Sequence, residues 1–264
     1  MKKTNKITIA VMLLAAIGFL LQSCGKDNKV PYPTSTISGA ITYNGQPVGL
    51  QSTNNQLNSG VATNVLNTMF LRQTGPQPLS GGDLRMVAAS DGTFTYKTFD
   101  GDYTILPVPF KSPFKDFDPI NFTLKGSQTV NIPVQPYFWL SNLQSTFVDS
   151  TLTLTFKLDR IVPNYVNASG VTVVPGLEFV RVYFGTTNKA DNSANIFQRG
   201  AFTTPAQGIN INGNCSLTIN LKGTGMTTLE KQTLKAQTGK LYARIGVKTS
   251  NITDPLFAPV IELK

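Results

Sequence analysis

The chain has 264 residues, of which 41% are hydrophobic and only 14% charged, with 22 Gly, 16 Pro, 2 Cys, 1 Trp and no His. So much apolar sequence with so little low complexity excludes a disordered chain, and two cysteines cannot build a disulfide framework. The missing imidazole excludes Ser-His-Asp and Cys-His nucleophiles, zinc sites with His ligands and a His general base.

Lys2, Lys3 and Lys6 precede a nearly continuous apolar run from Ile7 to Leu21, interrupted only by Thr8 and Gly18. This reads as a secretory signal, because a permanent membrane-spanning helix needs about 20 apolar residues. Leu21-x-Ser23-Cys24 resembles the bacterial lipobox, in which the cysteine is diacylated on sulfur, the signal is cleaved before it, and the new amine is acylated. The resemblance implies a signal peptide over residues 1–23 and a membrane anchor made by acyl chains on Cys24. Each buried methylene contributes about 0.8 kcal/mol, so several chains on one residue hold where a single chain is marginal. Residues 24–34 read as a polar, proline-ended tether. Their start resembles the short Lys/acidic tag of surface lipoproteins of Bacteroidota, with Asp27 as its acid; an ordinary solvated linker is the alternative.

Loss of residues 1–23 removes three lysines, leaving 20 basic residues against 14 acidic and lowering the formal charge from +9 to +6. Lys and Arg are scattered from Arg72 to Lys264 without a run or stripe, which reads as solvated surface and predicts no nucleic-acid partner.

Beyond the tether the alternation is that of strands. Ile37, Gly39, Ile41 and Tyr43 share one face, and Asn44-Gly45 follows as a hairpin signal. Gln51 to Gly60 reads as a polar loop, Val65 to Arg72 and Leu84 to Ala89 as strands. Asp91-Gly92 turns the chain into Thr93 to Lys97, and Asp100-Gly101 turns it into Asp102 to Leu106. Val130, Ile132 and Val134 lie on one face of a further strand. The glycine-led strand starts at Gly92-Thr93-Phe94 and Gly101-Asp102-Tyr103, with Ile37-Ser38-Gly39-Ala40-Ile41, resemble the prealbumin-like (transthyretin-like, carboxypeptidase-regulatory-like) sandwich over residues 35–136. Phe94 and Tyr103 are its expected core anchors.

In the second half, residues 137–264, Thr151 to Leu158 alternates without error, as a half-buried antiparallel strand does. Glu178 to Phe184 is apolar on both sides, Arg181 apart, as in a central strand. Cys215 falls on the side of Leu217 and Ile219 and reads as a small core residue. Thr227-x-x-Glu230 matches a capping box for a short helix, and Leu241 to Val247 and Leu256 to Leu263 are the last strands. The expected fold is all-β, two sandwich domains in series, the second immunoglobulin-like.

Three constellations bear on chemistry. The loop from Leu106 to Pro119 carries Phe110, Phe114 and Phe117 among four prolines; these rings either meet a partner or cap the core between the halves. Tyr137-Phe138-Trp139 holds the one Trp, with Tyr137 and Trp139 on one side, and Trp139 is either a core residue or an exposed glycan platform. Asp100, Asp102, Asp116 and Asp118 either converge on a cation or serve as solvated turn acids, and no calcium-loop spacing accompanies them. Glu178, Glu230 and Glu262 each have a structural place, at a strand start, a helix first turn and the last strand. Glycosidase chemistry needs two carboxylates flanking a bond. No such pair stands at a recognisable spacing, and neither cofactor, metal nor enzymatic activity is expected.

The whole arrangement, with a Val134-Gln135-Pro136-Tyr137 junction and a Tyr242-Ala243-Arg244-Ile245-Gly246 strand, is similar to an uncharacterised lipoprotein family of Bacteroidota. Its members lie beside SusC/SusD-like pairs, the TonB-dependent channels and lipoprotein lids that import glycans. The resemblance implies a surface-facing outer-membrane accessory subunit of such an importer. A free-standing surface glycan-binding protein and a structural or adhesive lipoprotein are the alternatives. Because the anchor rests on one thiol, Cys24→Ala is expected to remove the acyl mass and shift the protein out of the detergent phase and the envelope fraction. Unchanged mass and partitioning would refute it.

Overall fold

Period-two alternation of apolar side chains, closed by turns that need positive φ, builds nearly every element of the chain. The structure is a computed structural model that describes residues 32–52, 68–75, 82–109, 111–167, 169–192, 194–222, 227–236 and 239–263. The lipobox with Cys24, the greater part of the Gln51–Gly60 stretch and Phe110 lie outside the described residues.

Strand β1 (Ser35–Tyr43) buries Ile37 and Ile41 and ends in a hairpin at Asn44 (φ 49°) and Gly45 (φ 77°). Two consecutive positive φ values give the tight turn that matches strand twist, and it leads into β2 (Gln46–Pro47) with Tyr43 opposite Gln46. The strands β3 (Thr68–Gln73), β4 (Leu84–Val87), β5 (Thr93–Thr98), β6 (Gly101–Leu106), β7 (Ile120–Leu124), β8 (Ser127–Thr129) and β9 (Ile132–Pro133) follow. One sheet is centred on β1, which pairs antiparallel with β2 and β5 and parallel with β8 and β9; the other has the order β4-β3-β6-β7. Phe94 and Tyr103 are buried between them as expected, and the Tyr103 hydroxyl donates to the Phe99 carbonyl at 2.9 Å.

The single strand expected through Val130, Ile132 and Val134 is instead two short pieces, although all three side chains are buried. Between the pieces the ladder is interrupted, and the Asn131 side chain accepts the Ala40 N–H at 3.1 Å. The backbones come very close there. A Cβ at Gly39 would fall 2.0 Å from the Val130 carbonyl oxygen, which is why that inner position holds glycine.

The second half comprises β10 (Phe138–Val148), β11 (Thr151–Arg160), β12 (Tyr165–Val166), β13 (Thr172–Val173), β14 (Leu177–Gly185), β15 (Phe197–Phe202), β16 (Gly213–Asn220), helix α1 (Thr228–Ala236), β17 (Tyr242–Thr249), β18 (Leu256–Phe257) and β19 (Ile261–Glu262). One sheet has the order β10-β11-β16, another β15-β14-β17-β18 with β19 also on β17, and β12 and β13 form a small hairpin. Leu152, Leu154, Phe156 and Leu158 of β11 are buried, each worth about 1.5–3 kcal/mol of apolar burial. Cys215 on β16 is the expected core residue: burial pushes its thiol up, and its sulfur accepts the Asn210 N–H at 3.2 Å. The last expected strand is broken. Pro259 cannot donate to the ladder, so β18 and β19 pair with β17 on either side of a gap at residues 258–260.

The capping box is present: the Thr227 N–H donates to the Glu230 carboxylate at 2.8 Å, and the Glu230 N–H donates to Thr227 Oγ1 at 3.2 Å. Arg199 of β15 donates to both Glu230 oxygens, at 2.6 and 2.8 Å, which ties α1 to the sheet. These bonds, those from Arg199 above all, lower the Glu230 carboxyl to about 2. A carboxyl below its unfolded value of about 4.3 contributes stability that is complete above that pH and lost as pH falls through the folded value. The melting-temperature difference between wild type and Glu230→Gln should therefore be present at pH 7 and shrink toward zero from about pH 4 to about pH 2. A difference constant over that range would contradict the assignment.

Candidate functional site

The two sandwiches share one hydrophobic core, and their junction is organised around a single buried guanidinium. Arg244, the third residue of β17, is only 4% exposed. Its Nε donates to the Ala258 carbonyl at 2.8 Å, Nη1 to that of Leu50 at 3.0 Å and Nη2 to that of Ser90 at 2.8 Å. Two of the three acceptors belong to the first sandwich. The guanidinium also lies 4.8 Å from the Phe257 ring centre, and Asp191, fully buried, stands 4.0 Å from Nη1 while accepting the Ser52 N–H. Burial lowers Arg244 to about 10, opposed by Asp191 and Asp91, so it stays charged at neutral pH. Beside it the Phe257 N–H donates to the Gly49 carbonyl at 2.9 Å, and a Cβ at Gly49 would sit 2.1 Å from the Phe257 carbonyl oxygen. Only glycine allows this approach.

Over this base lies a cleft of about 940 Å³, to which the first sandwich contributes Gln46 and Asp91 and the second Trp139, Asn142, Asn188 and Lys189. Arg244 and Phe257 line its base. The β1–β2 hairpin separates it from a second cleft of about 880 Å³, lined by Tyr43, Asn44, Lys115, Phe117 and Asp118 among others. The two meet at an aromatic pair, Tyr43 and Trp139, with ring centres 5.1 Å apart and planes at 61°. Asn142 owes its position to a bulge. Between Ser141 and Gln144 strand β10 spends one residue more than β11, and Asn142 takes φ 53°. Asp91 accepts the Thr93 N–H at 3.0 Å and the Thr93 hydroxyl at 2.7 Å; these bonds, the hydroxyl's foremost, hold its carboxyl low and keep it anionic.

The residues singled out in the sequence separate into distinct roles. Phe114 is buried at 4% exposure in an isolated bridge to Pro136, the Lys115 N–H donating to the Gln135 carbonyl and the Tyr137 N–H to that of Pro113. It plugs the junction and offers no face to a ligand, which corrects its inclusion among binding candidates. Phe117 is half-buried and lines the second cleft, and Trp139 is half-buried on the first. Tyr137 does not share Trp139's exposure. It is buried against Tyr165 at 4.8 Å, because it precedes β10 and is held by the Pro113 carbonyl rather than by the strand's alternation.

The four aspartates do not converge. Asp100 accepts the Ser35 hydroxyl and the Gly126 N–H, and Asp102 accepts the Thr123 hydroxyl at 2.6 Å. Asp116 and Asp118 line the second cleft near Ile120, at the opposite end of the β6–β7 pair. Among the described residues no cluster of three or more metal-ligating side chains occurs. All three glutamates stand in ion pairs, Glu178 with Lys248 at 3.5 Å, Glu230 with Arg199 and Glu262 with Lys240 at 2.7 Å. Arg244 contradicts the reading of the basic residues as solvated surface. Its signal was present in the sequence: one Arg within the apolar run Leu241 to Val247.

Fold and site together define an all-β protein of two fused sandwiches with an aromatic and amide-lined cleft at their junction. The chain belongs to the DUF3823 family: residues 35–135 match "Protein of unknown function (DUF3823) N-terminal domain" and residues 138–262 match "Domain of unknown function (DUF3823_C)". Among solved structures it is similar to a DUF3823 family protein from Parabacteroides merdae, at 26% identity and TM-score 0.69, covering 89% of this chain and 100% of that one. A DUF3823 family protein from Bacteroides ovatus (22% identity, TM-score 0.66, 88% and 98% covered) has the same fold. So does a "putative carbohydrate binding protein" from Bacteroides uniformis (18%, TM-score 0.62, 88% and 99%). No curated protein matches the chain.

Arg244 sets the relative placement of the cleft walls, so Arg244→Leu leaves three carbonyls and Asp191 without their cation. Breaking a buried charged network in this way costs about 3–5 kcal/mol. Urea unfolding of the non-acylated protein should show that loss, and Arg244→Lys should recover little because an ammonium cannot reach three divergent acceptors. Near-wild-type stability of Arg244→Leu would refute the role.

Proposed function

We propose that this protein is a lipid-anchored glycan-binding protein of the outer membrane that presents its ligand to a SusC/SusD-like importer without cleaving it. The observation that carries the reading is the half-buried Trp139, set against Tyr43 at the meeting of two clefts and flanked by amides and hydroxyls. A pyranose has a face of C–H bonds that suits an aromatic ring and a rim of hydroxyls that both donate and accept. Asn142, Asn188 and Gln46 supply groups of both kinds. Among the described residues lining the first cleft Asp91 is the one carboxylate, whereas hydrolysis calls for two carboxylates about the scissile bond, which favours binding over turnover. The lipobox ending at Cys24 supports the anchor, and the Bacteroides uniformis protein of this fold bears a description that points to the same ligand class.

Trp139→Ala should reduce retention in polysaccharide-containing gels at least tenfold while the protein keeps its far-ultraviolet circular dichroism and a cooperative thermal transition, some melting temperature being lost with the packing of the ring on Tyr43. Purification of the acylated protein in mild detergent should recover a channel and a lid subunit. Binding without co-purification would leave a free-standing glycan-binding protein, and neither would leave a structural lipoprotein.

A further inference from the structure

The chain is basic overall, with Lys and Arg outnumbering Asp and Glu by 23 to 14, yet the clefts are not. Asp91 and Lys189 face the first, and Lys115, Asp116 and Asp118 the second, so their combined formal charge is −1. Arg244 adds nothing usable. All three of its nitrogens donate to carbonyls, those of Ala258, Leu50 and Ser90, Asp191 balances its charge, and it is 4% exposed. A sulfated or uronate-rich chain brings closely spaced anions that need cations free to pair with them. Here the aspartates would repel it.

The clefts also adjoin across the β1–β2 hairpin. Tyr43 lines one and Trp139 the other, and the two rings touch; Gly45 and Gln46, neighbours in the hairpin, face opposite sides. Phe117 stands in the second cleft as Trp139 does in the first, so aromatic surface is available on both sides of the hairpin. The polar groups near Trp139 are mainly neutral amides and hydroxyls. Asn142 is placed among them by a bulge that costs a ladder position and a left-handed φ.

Resting on the glycan-binding reading above, we propose that the ligand is an uncharged oligosaccharide long enough to lie along both clefts, with sugar units on Trp139 and on Phe117. The test is isothermal titration and affinity electrophoresis of the mature protein with neutral polysaccharides (α-glucan, β-glucan, xylan, mannan and fructan) and acidic ones (homogalacturonan, alginate and chondroitin sulfate). The expected result is binding to a neutral polymer whose affinity changes less than twofold between about 20 mM and about 500 mM salt, since no ion pairs are screened. Trp139→Ala and Phe117→Ala should each weaken the long chain at least tenfold, while a disaccharide of the same sugar binds at least tenfold more weakly than the polymer.

Binding confined to acidic polymers, or affinity that falls tenfold over the same salt range, would overturn the neutral-ligand assignment and leave the glycan-binding reading standing. Full affinity in Phe117→Ala would overturn the two-cleft path. Retention of no polysaccharide in either panel would overturn the glycan-binding reading itself.

Discussion

The placement of the candidate site depends on one desolvated cation. Burying a guanidinium is expensive unless its donors are satisfied, and Arg244 meets that requirement only where segments from both halves converge. Leu50 and Ser90 bring carbonyls from the first sandwich, and Ala258 brings one from the break between β18 and β19. The break therefore has a use: Pro259 ends the ladder, and the neighbouring carbonyl of Ala258 turns to the guanidinium. Asp191 completes the arrangement by reaching back to the Ser52 N–H, so that charge balance also joins the two halves.

A second set of contacts works alongside this polar clip and is apolar. Phe114 and Pro136 bridge, Tyr137 packs on Tyr165, and the core runs through both sandwiches without interruption. Gly49 lets β18 approach the first sandwich closely enough for a backbone hydrogen bond. Polar specificity and apolar burial thus fall on the same seam. A cleft above such a seam has walls from both halves held in fixed relation, which suits recognition of a ligand that contacts both.

The distribution of charge follows a related logic. The glutamates are used in pairing strands and capping a helix, Asp100 and Asp102 in holding turns, and Asp191 in balancing Arg244. What remains at the clefts is a nearly neutral surface of amides, hydroxyls and half-buried rings. Hydrogen-bond geometry and stacking, not net charge, are the means of discrimination such a surface offers.

Local patterns made much of this protein legible in its sequence. Alternation assigned the buried faces of β1, β11 and β16, because successive side chains of a strand must point to opposite sides. Asn44-Gly45, Asp91-Gly92 and Thr227-x-x-Glu230 assigned a hairpin, a turn and a helix start, because each satisfies its backbone within a few residues. Membership of an uncharacterised family of two β-sandwiches was readable from longer stretches, the glycine-led strand starts, the Val134-Gln135-Pro136-Tyr137 junction and the Tyr242 to Gly246 strand. Only the tertiary structure decided that Arg244 is interior, that Phe114 is core while Phe117 lines a cleft, and that Tyr43 meets Trp139. Arg244 and its acceptor at Leu50 are 194 positions apart, and nothing within a few residues of either specifies the other. The fate of a polar or aromatic side chain depends on distant partners that cover or satisfy it, and those partners exist only once the two sandwiches have packed.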